Sequence, residues 1–356
     1  MILLNHLFKL QHHSIIPKRH YKFPPLISRD RVVKEVHTPE SITHDKISII
    51  GLGQVGVATA FTLLNQNISK NIVLVDSDER RLYGETLDLQ QGTKYVRNSK
   101  VEACTDYSKT DNSKICIVTA GARQKPDESR LSLVQRNTDI MKIVLPKVVK
   151  YSPKAVILMV TNPVDVLTYV AWKISGFPTN QVIGSGTNLD SSRFRFLLSE
   201  KLGVSTTCCH GFIIGEHGDS SVALWSSVDV AGVRLRDINP AAGTDKDPEN
   251  WKVLHEKVIN SAYEVIKLKG STCWAVALSA ASIALSILRN PEDIHPISIN
   301  SKGLYGIQDD IFLSLPCLLD TEGLSKIMKK NLDDDEIEKL QGSVRILGEI
   351  QSGLRL

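Results

Sequence analysis

The chain has 356 residues, 42% of them hydrophobic and 23% charged, an ordinary globular composition with room for one large or two medium domains. Its formal charge of +4 is unevenly placed: residues 1–31 hold six Lys/Arg against the single acid Asp30, and the remainder has 37 basic against 38 acidic residues. The body is therefore near neutral, which argues against a nucleic-acid surface. The six cysteines form no C-x-x-C pair and are too sparse for a disulfide scaffold, so they read as buried free thiols in a reducing compartment, with no metal site.

Before Asp30 the text has no acid, four histidines and an apolar start. Acid-poor, basic and amphipathic is how a mitochondrial transit peptide reads. Pro17, Pro24 and Pro25, together with sparse Arg and Ser, fit a disordered tail on a cytosolic protein. Residues 1–32 are assigned as an N-terminal extension, and localisation stays open between cytoplasm and mitochondrion.

From residue 46 strand-like and helix-like text alternate. A short β-branched run at 46–50 ends in GLGQVG, and 58–65 reads as helix. A second buried strand at 71–75 is followed by Asp76; apolar strands at 114–118 and 155–160 flank a helical pattern at 132–149. Strand, helix, strand at this spacing means βαβ units, a parallel sheet and right-handed crossovers. After about Gly186 amphipathic helices are predicted at 191–202, 251–268, 275–288 and 333–350, with strand-like runs at 212–214 and 228–233. The uncharged stretch 271–288 is rich in Ala and Ser and reads as a buried helix rather than a membrane span. Ile337, Leu340, Val344 and Leu347 repeat at three and four, the stripe of a surface helix packed on its own domain.

Gly51, Gly53 and Gly56 form G-x-G-x-x-G between a predicted strand and a helix, and Asp76 ends the next strand, twenty residues past Gly56. That context makes a weak motif a strong dinucleotide signature. Gly51 permits a tight turn, Gly53 lets the backbone approach a pyrophosphate, and Gly56 lets helix and strand pack closely. The helix N-terminus offers N–H groups and positive potential to the phosphates. The Asp76 carboxylate is expected to bind the adenosine ribose hydroxyls and to repel a 2′-phosphate, which selects NAD over NADP. The fold class is therefore α/β: a Rossmann-type doubly wound parallel sheet over 46–185, followed by an α+β substrate domain over 186–356.

Four further stretches, far apart, offer two arginines, an asparagine, an aspartate and a histidine: QKPDESR at 124–130, TNPVD at 161–165, NLDSSRF at 188–194 and GEHGDSS at 215–221. Downstream of the nucleotide signature they resemble the L-lactate/malate dehydrogenase family, in particular its animal-type members. The resemblance runs from about Val33 to the C-terminus and includes LTYVAWKISGFP, GTDKD, SAYEVIKLKG and KGLYGI. It implies reversible NADH-dependent reduction of a 2-keto acid.

Such a reaction needs a hydride at the carbonyl carbon, a proton at its oxygen and a grip on the carboxylate. The resemblance gives His217 the proton, a role suited to a side chain that titrates near neutral pH. Asp190 is expected to bond its other ring nitrogen, although a helix N-cap is a competing role. Arg193, one turn further on, presents a guanidinium fork to the substrate carboxylate. The family further places Arg130 on a lid beside the carbonyl, Asn162 near the carbonyl or nicotinamide, Thr272 in the substrate pocket, Val276 against the nicotinamide and Arg123 near the pyrophosphate. Gln124 faces the far end of the substrate, where malate enzymes carry arginine, and this favours pyruvate/L-lactate over oxaloacetate/malate.

Residues 33–45 resemble an oligomerisation arm, and the family implies a homotetramer with no membrane or nucleic-acid partner. Departures from the family are Asp127 for a usual Gly, with Pro126 stiffening its neighbour, and Ser271 for a usual Tyr. They keep two alternatives open: a catalytically impaired NAD-binding paralogue, or a malate or broader 2-hydroxy-acid dehydrogenase.

Overall fold

The computed structural model describes residues 33–35, 45–97, 99–122 and 130–356. The 1–32 extension, Arg123, Gln124, Pro126 and Asp127 lie outside the described residues, as do the side chain of Arg130 and most of the 33–45 arm.

Among the described residues the strands are β1 (Val33–Glu35), β2 (Ile47–Ile50), β3 (Asn71–Val75), β4 (Lys100–Cys104), β5 (Ile115–Val118), β6 (Val156–Met159), β7 (Val182–Gly184), β8 (Cys209–His210), β9 (Ile213–Ile214), β10 (Val222–Ala223), β11 (Asp229–Val230), β12 (Val233–Arg234), β13 (Ile294–Asn300), β14 (Phe312–Asp320) and β15 (Gly323–Met328). The helices are α1 (Gln54–Asn65), α2 (Glu79–Gln91), α3 (Arg130–Tyr151), α4 (Val164–Ser175), α5 (Asn188–Leu202), α6 (Leu235–Ile238), α7 (Lys252–Lys269), α8 (Trp274–Arg289) and α9 (Asp334–Ser352).

Ten strands make one sheet in the order β1-β15-β14-β13-β7-β6-β5-β2-β3-β4. From β7 to β4 the pairings are parallel. The strand order reverses around β2, the arrangement of a doubly wound nucleotide-binding sheet. Continuous apolar runs form its strands because both faces are covered. Ile47, Ile49, Ile72, Leu74, Ile115 and Ile117 join one core cluster, which holds Leu63 of α1 and Ile283 of α8. Ile50, Val73, Val75, Cys116 and Val118 join the other, against Met141 and Leu145 of α3 and Leu167 of α4. Alternation along each strand thus divides its residues between two helix layers.

The second half does not build a wholly separate sheet. Its meander β13-β14-β15 extends the parallel sheet through the antiparallel pair Ser298↔Gly184. Val33–Glu35, from the arm segment, pairs with β15 of the same chain. A third cluster around Phe194, Trp225 and Trp251 supports the rest of this half, with the Phe194 and Trp225 rings edge-to-face at 5.0 Å. The uncharged 271–288 stretch is seated in α8, whose Ala280, Ala281 and Ala284 are buried. No helix of the described residues is long and apolar enough to cross a membrane.

In α9, Leu340 and Leu347 are buried and Val344 partly so, whereas Ile337 is 37% exposed, so the stripe packs most firmly past its first turn. Asp333 and Glu336 form a reciprocal capping box at its start. Glu336 also accepts hydrogen bonds from the Ser226 amide and hydroxyl, which ties the helix to the substrate half. Asp333→Ala should lower stability by about 1–2 kcal/mol. Urea unfolding would show this as a lower midpoint with unchanged slope.

Candidate active site

The switch point of the sheet lies between β2 and β5, where the strands' carboxyl ends open a crevice. Gly51 leaves β2 with φ +100°, a left-handed conformation that favours glycine, and its N–H donates to the Val75 carbonyl at 2.8 Å. A Cβ on Gly56 would lie 2.0 Å from the Gly51 carbonyl oxygen, so helix α1 approaches β2 as closely as backbone allows. Gly53 differs: a Cβ there meets nothing within 4 Å. Its requirement for glycine therefore does not come from the protein's own atoms. The open space lies at the head of α1, where Gly53 is the N-cap and no side chain caps the helix. This is the cradle a pyrophosphate needs.

Asp76 follows β3. One of its oxygens accepts the Leu52 amide at 2.5 Å and the other the Asp78 amide at 2.9 Å, which fixes the carboxylate beside the glycine turn. Each oxygen keeps a lone pair for a ribose hydroxyl. These residues fit a dinucleotide with an unphosphorylated ribose.

On the other side of the crevice, Thr161 donates to the Ala120 carbonyl at 2.8 Å. Asn137, fully buried in α3, accepts the Ala122 amide at 2.7 Å and donates to the Asn162 carbonyl at 3.0 Å. One amide side chain thus clamps together the loops that follow β5 and β6. Asn162 itself is exposed, precedes a cis bond to Pro163, and its side-chain oxygen accepts the Val164 amide at 3.2 Å. Sequence reasoning missed Asn137; its signal is a polar residue on the buried face of an otherwise apolar helix.

The charged cluster is assembled by docking α5 on β9. Thr187 donates to the Ile213 carbonyl at 2.6 Å, and the Ile213 amide donates to Ser191 at 2.9 Å. The first turn of α5 is thereby registered against the strand that leads into GEHGDSS. Asp190 sits in that turn, 6% exposed. Its Oδ2 is 2.5 Å from His217 Nδ1, and its Oδ1 accepts Arg193 Nη1 at 3.0 Å. One carboxylate therefore contacts both the imidazole and the guanidinium, and it occupies the Nδ1 side of the ring.

The turn carrying His217 is secured from α9 and from within. Gly215 adopts φ +82°, and a Cβ there would reach Ser343 Oγ at 2.8 Å. Ser343 donates to the Ser220 carbonyl, while the Ser220 hydroxyl donates to the buried Glu216 carboxylate.

The electrostatics separate this histidine from the others. Burial pushes His255 and His295 down to about 4, and their ring nitrogens bond serine hydroxyls, Ser221 at 3.0 Å and Ser286 at 2.7 Å. Burial also acts against charge on His217, but the Asp190 charge and hydrogen bond, helped by Asp165, outweigh it and hold the pKa above the ordinary value. Asp190 shows the converse: burial raises its pKa, and His217 and Arg193 together bring it below the usual range.

His217, Asp190 and Arg193 are in direct contact. Thr272 and Val276 stand at the start of α8, where Cys273 and Ala277 touch Val55 and Ala58 of α1, on the nucleotide side of the crevice. Asn162 lies three residues before Asp165, whose Oδ2 accepts the His217 amide at 2.7 Å.

Two family profiles match the chain: lactate/malate dehydrogenase, NAD binding domain, over residues 45–184, and lactate/malate dehydrogenase, alpha/beta C-terminal domain, over 187–354. The chain is 51% identical to the L-lactate dehydrogenase B chain of Sceloporus undulatus over 92% of its length and 97% of the relative's. It is 51% identical to the human B chain, covering 92% and 98%, and 52% identical to human L-lactate dehydrogenase A-like 6A, covering 92% and 99%. With a glycine turn, an uncapped helix and a ribose-facing carboxylate fitted to NAD, the chain belongs to the lactate/malate dehydrogenase family, as an NAD-dependent oxidoreductase of the animal L-lactate dehydrogenase type.

Proposed function

We propose that the protein interconverts pyruvate and L-lactate, with His217 as proton donor and acceptor. The observation that carries this reading is the single buried carboxylate of Asp190 shared by His217 and Arg193. With Nδ1 committed to Asp190, Nε2 is the atom that passes a proton to the carbonyl oxygen. Asp190 fixes the ring and stabilises the imidazolium. The free edge of the Arg193 fork takes the substrate carboxylate in parallel hydrogen bonds. The bound nicotinamide supplies the hydride. Thr272 and Val276 line the pocket, Gly51, Gly53, Gly56, Asp76 and Arg123 hold the dinucleotide, and Asn162 orients the carbonyl. Arg130 polarises the carbonyl from the lid, and Gln124 offers no cation to a second carboxylate; both roles rest on the family resemblance. L stereochemistry is carried by the names of the relatives above, and a homotetramer is what the family resemblance implies. Exposed Phe61 of α1 and Tyr95, which line one groove with Leu64 and Leu89, suit such an assembly.

The direct test follows NADH absorbance with pyruvate, oxaloacetate and 2-ketobutyrate in turn. Preference for pyruvate supports the reading, and NADH binding without turnover would leave a binding protein in its place. His217→Gln should lower kcat for pyruvate by about 10²–10⁴-fold with NADH affinity unchanged. The pH dependence has a definite sign. A raised His217 pKa keeps the proton-donating form populated above the ordinary imidazole range. Pyruvate reduction should fall as pH rises through that raised value, and lactate oxidation should rise through it. Gln124→Arg should move the kcat/KM ratio toward oxaloacetate; an unchanged ratio would remove Gln124 from the substrate assignment.

A further inference from the structure

Asp165 has no part in the chemistry set out above, yet it is a carboxylate buried behind the proton carrier. It stands in the first turn of α4 and is 2% exposed. Its Oδ2 accepts the His217 backbone N–H at 2.7 Å, while its Oδ1 is sealed from solvent and makes no regular hydrogen bond among the described residues. Burying a carboxylate whose second oxygen lacks a regular hydrogen bond is costly, with the Ser298 hydroxyl as partial compensation. A structural anchor for one amide does not need a charge; a carbonyl oxygen would serve. What a charge adds at this place is negative potential directed at a ring that must become positive.

Part of the local field favours that charge: Asp165 lies in the first turn of α4, near the positive end of the helix dipole. Burial, with the Asp190 charge, holds the Asp165 pKa above the ordinary carboxylate value, and the Ser298 hydroxyl, the His217 amide and the His217 charge limit that rise. Among the described residues the charged groups acting on His217 are Asp190 and Arg193 from α5 and Asp165 from α4. Within the same turn Glu216 is directed to Ser220, and Ser221 to His255 of α7.

We propose that Asp165 is a positioning residue for His217: it anchors the main chain of the histidine and, with Asp190, forms a two-carboxylate cage that favours the imidazolium. The proposal rests on the reading of His217 as proton carrier. It also links the dinucleotide half to the substrate half, since α4 starts three residues after the β6 loop's Thr161 and His217 belongs to the GEHGDSS turn.

The test is Asp165→Asn in the full chain. Asparagine keeps an oxygen for the His217 amide and removes the charge. Nitrogen-15 NMR titration of the imidazoles, with His217→Gln assigning the resonance, should show the His217 pKa falling by about one unit. The high-pH limb of kcat/KM for pyruvate should move down with it, while NADH affinity stays level. Asp165→Ala, which loses the acceptor as well, should lower kcat a further ~10-fold or more by misplacing the ring. If Asp165→Asn does not fold, Asp165→Ser removes the charge with less bulk and is held to the same shift. A His217 pKa unmoved by loss of the Asp165 charge, while Asp190→Asn lowers it, would overturn the proposal and leave the proton-carrier reading standing. Undiminished pyruvate turnover in His217→Gln would overturn that reading and this proposal with it.

Discussion

The site depends on one buried carboxylate. Asp190 is nearly sealed, and a lone charge there would be expelled or neutralised by proton uptake. It remains ionised because two cations meet it, His217 on one oxygen and Arg193 on the other. With Asp165 included, the cluster holds two acids, an arginine and a histidine. Protonation of the imidazole adds a positive charge beside these two acids. An anion entering the site therefore meets a more favourable field when the ring carries its proton than when it does not.

The scaffolding around this cluster is polar and short-range. Thr187 and Ser191 register α5 on β9, Asn137 joins the loops after β5 and β6, and Ser343 braces the turn that carries the histidine. Each is a buried group with its partner satisfied, the kind of contact that specifies geometry more than it adds stability. The glycines complete the arrangement by removing side chains where backbones touch, at Gly56 and Gly215, and where a ligand is to lie, at Gly53.

The parallel half of the fold was legible in the sequence to within a residue or two at the strands. Predicted strands at 46–50, 71–75, 114–118 and 155–160 correspond to Ile47–Ile50, Asn71–Val75, Ile115–Val118 and Val156–Met159. Strands buried on both faces announce themselves as unbroken β-branched runs. The meander from Ile294 to Met328 was not legible. Pro296 and Pro316 sit within its first two strands, and proline argues against a central strand. Here the two prolines oppose each other in register, which confines the missing donors to one position. In the site, helical spacing placed Asp190 and Arg193 on one face, and the motif singled out His217. The family resemblance carried the Asp190–His217 pairing; that Arg193 takes the other oxygen of the same carboxylate was hidden, because spacing gives a shared helix face and not a contact. Asn137 and Asp165 escaped notice because a polar residue on a buried helix face marks a constraint without naming the partner that the fold brings to it.

The join between the parallel strands and the meander has its own consequence. At Gly184 an added Cβ would press on Thr168 at 2.4 Å and on Ser298 at 2.8 Å, so the strands are in contact across the seam with no lubricating layer. A hinge needs a stretch of chain that can absorb a change of angle, and a continuous pleated ribbon of ten strands provides none there. The dinucleotide crevice and the meander are thus built on one continuous sheet. Any opening of the crevice falls to segments outside that sheet, because the seam itself offers no hinge.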